Sequence, residues 1–341
     1  MIQNRLFALV AVIFIALSQT AQAQDPAFTQ FYGNPLYLNP ALAGSDICPR
    51  ISLNHRNQWP GIGKTYVTYS ASYDQYVDKL GGGIGFAIAK DVAGAGDLNT
   101  THISASYSYR LRVNKKLTIN AGFEGAYRQL GVDWSGLTFG DQIDPIQGFI
   151  YPTNEDIVNY DASNNFADFA AGFMAFGKAN NNVDYYFGFA SHHITRPDQG
   201  FITESRLPMK ITANVGAAIP LNQFGTYRTT SKSRSKKAAV LSPNILFQKQ
   251  QDFTQINYGV YVAKGPIVGG LWLRQSTQNV DSFIILLGLE QDTWKVGYSY
   301  DVTVSDLNNS NTQGAHEFSF AYRLPCRSRG QSFETINCPN F

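Results

Sequence analysis

A few short stretches hold residue types that could do chemistry. Gly61-Ile62-Gly63-Lys64-Thr65 ends like a phosphate-binding loop, in which backbone N–H groups and a lysine cradle phosphates. That motif needs a glycine where Gln58 stands and a helix after Thr65. Tyr66-Val67-Thr68-Tyr69 follows instead and reads as strand, so a hairpin loop is expected here. Gly81-Gly82-Gly83-Ile84-Gly85 fails the dinucleotide spacing, because Phe86 and Ile88 stand where a third glycine is needed. Glycines of this kind let a barrel strand bend or let an inner plug approach it. His316-Glu317 lacks the second histidine of a zinc-binding helix and falls in a strand pattern. His192 and His193 would point to opposite faces of a strand and cannot share a metal. With Ser191 and Asp198 they could supply the parts of a barrel hydrolase, but an ordinary polar rim is the expected reading. No catalytic, metal or cofactor-binding residue is assigned, and no cofactor is expected.

Three cysteines remain, Cys48, Cys326 and Cys338. In an oxidising compartment they could form a disulfide. Cys326 and Cys338 share the tail 323–341 and are the expected pair. Cys48, just before the first strand, is the permitted alternative partner.

The elements that would position these groups are strands. Alternation with period two dominates the chain. Ile103, Ala105, Tyr107, Tyr109 and Leu111 alternate with His102, Ser104, Ser106, Ser108 and Arg110. Val67, Tyr69, Ala71 and Tyr73 alternate with Thr68, Ser70, Ser72 and Asp74. In a strand the two sets face opposite ways. The pattern predicts strands near 50–58, 65–76, 82–91, 100–112, 116–130, 165–176, 184–193, 209–218, 240–248, 252–263, 267–274, 281–289, 293–302 and 314–322. Phe283–Leu289 is apolar at both parities, so part of the interior there is expected to be packed.

Composition explains what these strands face. Charged residues are only 15%, against roughly 25% in a typical soluble domain. The chain holds 19 Tyr, 23 Phe and 30 Gly, and its formal net charge is +2. Near neutrality gives no long-range attraction for nucleic acid, so no nucleic-acid partner is expected. The fold expected is all-β: a transmembrane antiparallel up-and-down β-barrel of about fourteen strands, in contact with outer-membrane lipid. A soluble β-sandwich would carry more surface charge. Connections alternate in length as such a barrel requires. Val77–Gly81, Val113–Lys115, Gly177–Val183, Lys264–Pro266 and Glu290–Asp292 are short and read as periplasmic. Gly131–Asn164, Ile194–Pro208 and Thr303–Gln313 are long and fall on the opposite side. Pro220–Ala238 breaks the pattern and gathers Arg228, Lys232, Arg234, Lys236 and Lys237, either as a solvated insert or as a periplasmic docking loop for an acidic partner.

Ahead of the strands, Met1–Arg5, the apolar run Leu6–Leu17 and Ala21-Gln22-Ala23 read as a secretory signal peptide over 1–23. The mature chain would start at Gln24 outside the cytoplasm. It divides into a segment 24–49, a barrel 50–322 and a periplasmic tail 323–341, with both termini on the periplasmic side.

The segment Gln24–Gly44 carries Asp25-Pro26, Phe28-Thr29-Gln30-Phe31, Asn34-Pro35, Leu38-Asn39-Pro40-Ala41 and Gly44. It resembles the opening of the PorP/SprF family of type IX secretion proteins. Gly297-Tyr298-Ser299-Tyr300-Asp301, Gly314, His316-Glu317, Tyr322 and the end Cys338-Pro339-Asn340-Phe341 match the family as well. The resemblance implies a non-enzymatic cell outer membrane barrel of the type IX secretion system, with no catalytic residues to carry over. It implies two kinds of partner, supporting protein secretion, surface anchoring or gliding motility. One is an exported protein with a type IX C-terminal domain, such as an adhesin. The other is a periplasmic lipoprotein or peptidoglycan-binding machinery. The alternative class is an outer-membrane porin or small-solute uptake channel. The segment before the first strand is expected either to fold into the lumen as a plug or to lie as a periplasmic arm.

Overall fold

The computed structural model describes residues 24–326 apart from 47, 64–65, 95–97, 135–136, 155–162, 180–182, 202, 222–238, 278 and 305–308. The expected signal peptide, the basic residues Arg228, Lys232, Arg234, Lys236 and Lys237, and Cys338 in the tail lie outside the described residues.

Alternation of apolar and polar residues over nine to sixteen positions gives long strands. They are β1 (Arg50–Gln58), β2 (Tyr66–Val77), β3 (Gly82–Ala93), β4 (Leu98–Arg112) and β5 (Leu117–Gly131). A small hairpin, β6 (Ile143–Asp144) and β7 (Gly148–Phe149), sits in the longest connection. Then come β8 (Ser163–Lys178), β9 (Asp184–His192), β10 (Lys210–Pro220), β11 (Val240–Gln250) and β12 (Phe253–Lys264). The last are β13 (Ile267–Ser276), β14 (Val280–Glu290), β15 (Trp294–Thr303) and β16 (Ala315–Arg323). All but β6 and β7 pair antiparallel, each with its neighbour in sequence, and β1 closes on β16. The result is a closed fourteen-stranded up-and-down barrel, as the periodicity predicts.

Parity sorts the side chains. Tyr69, Phe86, Ile88, Ile103, Tyr109 and Phe123 face outward and are exposed, forming an apolar belt. Ser70, Ser72, Ser104, Ser106 and Ser108, at the other parity, are buried in the lumen. On β14 both faces are apolar, and the inward Ile284 and Leu286 join a packed interior with Trp272 and Phe31.

The lumen is filled by the N-terminal segment. Phe28–Ser45 is buried almost throughout apart from Gly33 and Tyr37, and short helical turns cover Phe31–Gly33, Pro35–Leu38 and Pro40–Leu42. Asn39 has extended backbone, and its side chain accepts from Ala41 N at 2.9 Å; Pro40 then fits the first helical position without a lost donor. The segment starts among residues at the end of the barrel away from Arg50 and Arg323, where Asp25 N donates to Gln250. It leaves beside Arg50, at the end where β1 starts and β16 stops. Asp25 and Cys326 therefore sit at opposite ends of the barrel. The cause is that an inner segment of this length crosses the whole lumen before β1 begins.

Candidate functional site

The site is the interface between this segment and the wall, and three clusters build it. At the far end Asp25 meets Arg128 at 3.2 Å, His193 Nε2 at 2.7 Å and Lys210 at 3.8 Å. Asp168 takes His193 Nδ1 at 2.7 Å and Arg128 Nε at 3.0 Å. Both ring nitrogens of His193 face carboxylate oxygens, which can only accept, so both must carry protons. His193 lies in the turn past β9 with φ 57°. Burial alone would lower its pKa, but the Asp25 charge and hydrogen bonds with Asp168 and Asp25 outweigh that and raise it. This corrects the reading of His192 and His193 as an ordinary polar rim. Both are buried, and His192 Nε2 faces the Leu38 carbonyl at 3.4 Å. The hydrolase set is not assembled: Asp198 accepts from the backbone of Gly200 and Ser205, and the carboxylates at His193 are Asp25 and Asp168.

The second cluster joins the two halves of the family pattern. Glu317 on β16 accepts from Thr29 N at 2.7 Å and Gln30 N at 2.9 Å. Asp301 on β15 accepts from Thr29 Oγ1 at 2.7 Å, and Gln30 Nε2 reaches Ser299 at 3.2 Å. Arg56 bridges Asp301 at 3.0 Å and Glu317 at 3.1 Å, and Arg274 adds a contact to Asp301 at 2.9 Å. Two guanidinium groups face two buried carboxylates, with the half-buried Asp281 3.8 Å from Arg274 at the edge, so the buried charges are paired, as burial requires. Gly297, Ser299 and Asp301 face inward, whereas Tyr298 and Tyr300 face outward beside His316. His316 and Glu317 thus part company, one to the belt and one to the lumen.

Further along, Asn34 donates to Ser70 at 2.8 Å, and Asn39 donates to the Phe173 and Phe189 carbonyls at 3.1 Å each. Wall glycines permit this closeness. A Cβ at Gly122 would collide with the Pro40–Ala41 backbone, and one at Gly83 with Ala43 and Gly44. Gly44 has φ +60° and lies against Gly83 and the Gln75 carbonyl, so no side chain fits.

The third cluster fastens the segment where it leaves. Gly44 N donates to Asp74 at 2.9 Å, Arg50 pairs with Asp74 at 2.9 Å, and Arg323 pairs with Asp46 at 2.6 Å. Cys48 and Cys326 form a disulfide with Cα atoms 5.5 Å apart. This corrects the expected pairing of Cys326 with Cys338. The β1–β16 ladder ends at Arg50 opposite Arg323, and the Leu324 N to Pro49 O bond carries it one step further. Continued outward, Cys48 comes level with Pro325, so Cys326 lies one residue past it and within bonding range of Cys48.

Sequence reasoning reached Asp25, Pro26, Phe28, Gln30, Asn34, Pro35, Asn39, Pro40, Ala41 and Gly44 through family resemblance. It missed Arg56, Arg128, Asp168, His193, Arg274 and Glu317 as partners of that segment. Their signal was parity: except for His193, each is a charge at an inward strand position, where an unpaired charge is not tolerated. Among the described residues no cluster of His, Cys, Asp or Glu stands in an arrangement that could hold a metal.

Several solved structures resemble the fold. The toluene transporter TodX of P. putida is 10% identical, with a TM-score of 0.45, covering 85% of this chain and 93% of its own. CdiB from Acinetobacter baumannii is 8% identical, with a TM-score of 0.43, covering 81% and 60%. The KdgM porin is 7% identical, with a TM-score of 0.39, covering 81% and 99%. No curated protein matches the chain. The family described as type IX secretion system membrane protein PorP/SprF matches residues 20–322. The chain therefore belongs to the PorP/SprF family of type IX secretion system membrane proteins, built as an outer-membrane barrel.

Proposed function

We propose that this barrel is a non-enzymatic, protein-binding component of type IX secretion and not a passage for solutes. The observation that carries the reading is the filled lumen. Residues 24–46 cross it and bond to strands all around the wall, including β2, β5, β8, β9, β15 and β16. A barrel closed in this way presents its two rims to partners. In this reading residues 1–23 are a cleaved signal peptide, and the rim with short connections faces the periplasm. The segment 220–238 and the tail 323–341 meet a periplasmic lipoprotein or peptidoglycan-binding protein there. The opposite rim, chiefly 131–164, meets the C-terminal domain of an exported surface protein and supports its secretion or anchoring.

The test is a tagged pull-down from detergent-solubilised outer membranes, read by mass spectrometry. Recovery of a large exported protein, of periplasmic lipoproteins, or of both supports the reading. Recovery of neither, together with a steadily conducting pore in planar bilayers, overturns it in favour of a solute channel.

A further inference from the structure

The outward wall at β16, β1, β2 and β3 breaks the evenness of the belt. A groove of about 500 Å³ runs along it, walled by Leu53, Ile88, Val296, Phe318 and Phe320 over Ala71. Register explains the dip. Leu53, Ala71 and Ile88 lie directly opposite one another on three adjacent strands, so a methyl group stands between two long side chains. Its volume is in the range of small-molecule sites.

One step along the same strands, toward the rim with long connections, lies a second row: His55, Tyr69 and Lys90. All three also line the groove. Lys90 faces outward, is exposed, and has no ion-pair partner among the described residues. His55 stacks on Tyr69 with ring centroids 4.7 Å apart. Its Nδ1 is enclosed without a hydrogen-bond partner. Strands lie about 4.8 Å apart, so the His55 and Lys90 backbones are roughly 10 Å apart with Tyr69 between. A lysine stem reaches across such a gap while its ammonium stays at the polar boundary. The row offers an ammonium, a phenol and an imidazole to one small anion, directly above an apolar trough.

We propose that this groove binds one phosphate-bearing lipid of the outer leaflet. An acyl chain would lie over Ala71, and the phosphate would be held by Lys90, Tyr69 and His55. A phosphate supplies the acceptor that Lys90 lacks in the protein, and the trough continues into the hydrocarbon layer where an acyl chain belongs. The choice of leaflet rests on the orientation given under the proposed function; the groove and its cationic row do not.

The test uses the full-length protein in detergent, with native mass spectrometry and bisphosphorylated lipid A as the probe. Wild type should retain lipid A at least tenfold more than the same lipid with its phosphates removed, a comparison that needs no variant. Lys90→Ala with His55→Ala, and separately Ala71→Phe, should each cut retention at least tenfold while the barrel keeps its heat-modifiable migration on gels. Equal retention of the phosphorylated and dephosphorylated lipids, or no loss in the variants, would overturn the proposal. So would retention of phosphatidylglycerol in place of lipid A. The pull-down of partner proteins is a separate readout, so failure here and failure of the functional reading are distinguishable.

Discussion

Glu317→Ala should unseat the inner segment without unfolding the wall. The carboxylate is fully buried and accepts from two backbone N–H groups, Thr29 and Gln30, and from Arg56. Each buried donor left without an acceptor costs about 1–3 kcal/mol. Removing one partner of a buried ion pair costs about 3–5 kcal/mol, because Arg56 would then keep only Asp301, which it shares with Arg274. These terms share one side chain and do not add fully, so a loss of about 4–6 kcal/mol is expected. At 1.4 kcal/mol per decade, that shifts the seated-to-unseated ratio by roughly a thousandfold or more. The wall keeps its β15–β16 and β16–β1 ladders, which the substitution does not touch. The assay is single-channel recording in planar bilayers, paired with thiol labelling of Thr29→Cys in a background in which the barrel still migrates as folded. Glu317→Ala should show conducting openings and labelling, and Glu317→Gln, which keeps one acceptor oxygen, should show fewer. A folded Glu317→Ala barrel that stays as closed and as unreactive as its parent would refute the reasoning.

Other expectations follow from the same contacts. Gly122→Leu should also open the lumen, since overpacking costs typically about 1–3 kcal/mol and here meets backbone that cannot rotate away; if deletion of 24–44 does not abolish the difference between Gly122→Leu and its parent, the collision is not the cause. Peptide mapping under non-reducing conditions should recover Cys48 linked to Cys326, and Cys48→Ser should lower stability by up to ~5 kcal/mol, the upper end of the usual range for so long a loop; a Cys326–Cys338 peptide would contradict the structure. His193 has a raised pKa in the folded state, so its contribution is complete below the unfolded value of about 6.5 and is lost as pH rises through the folded value. The stability gap between wild type and His193→Gln should therefore narrow as pH is raised, and a gap that widens would show that the ring is held neutral.

The fourteen wall strands were legible because period-two alternation needs no knowledge of partners. Phe283–Leu289 broke the rule and was read as a packed part of the interior, and Ile284 and Leu286 do pack there. Opening residues such as Asn39 and Gly44 were legible only by resemblance, since a segment without periodicity does not announce which surface it covers. The disulfide was misread because nearness in sequence was weighed above ladder geometry: Cys326 lies 278 residues from Cys48 yet the closing strands bring them together. His193 was misread because its partners, Asp25 and Asp168, lie on two other elements, and a residue at a strand end has no parity to place it. Glu317 is legible as half of a failed zinc motif and as part of the family pattern, but its role as an acceptor follows only from its inward position, which requires a cation or a set of donors.

The bonds from Thr29 and Gln30 to Asp301 and Glu317 span most of the chain, at sequence separations of 272 to 288. The first residues of the inner segment thus find their acceptors only in the last two strands to be made. Closing so long a loop is slow, and its contacts reward it only at the end. A barrel that stalls before β15 and β16 are in place leaves the segment without its central anchor, with aromatic side chains such as Phe31 and Tyr32 unshielded. Seating of the segment is therefore a marker of completed assembly: a finished barrel is closed inside, and an unfinished one leaves the apolar groups of that segment exposed and prone to aggregation.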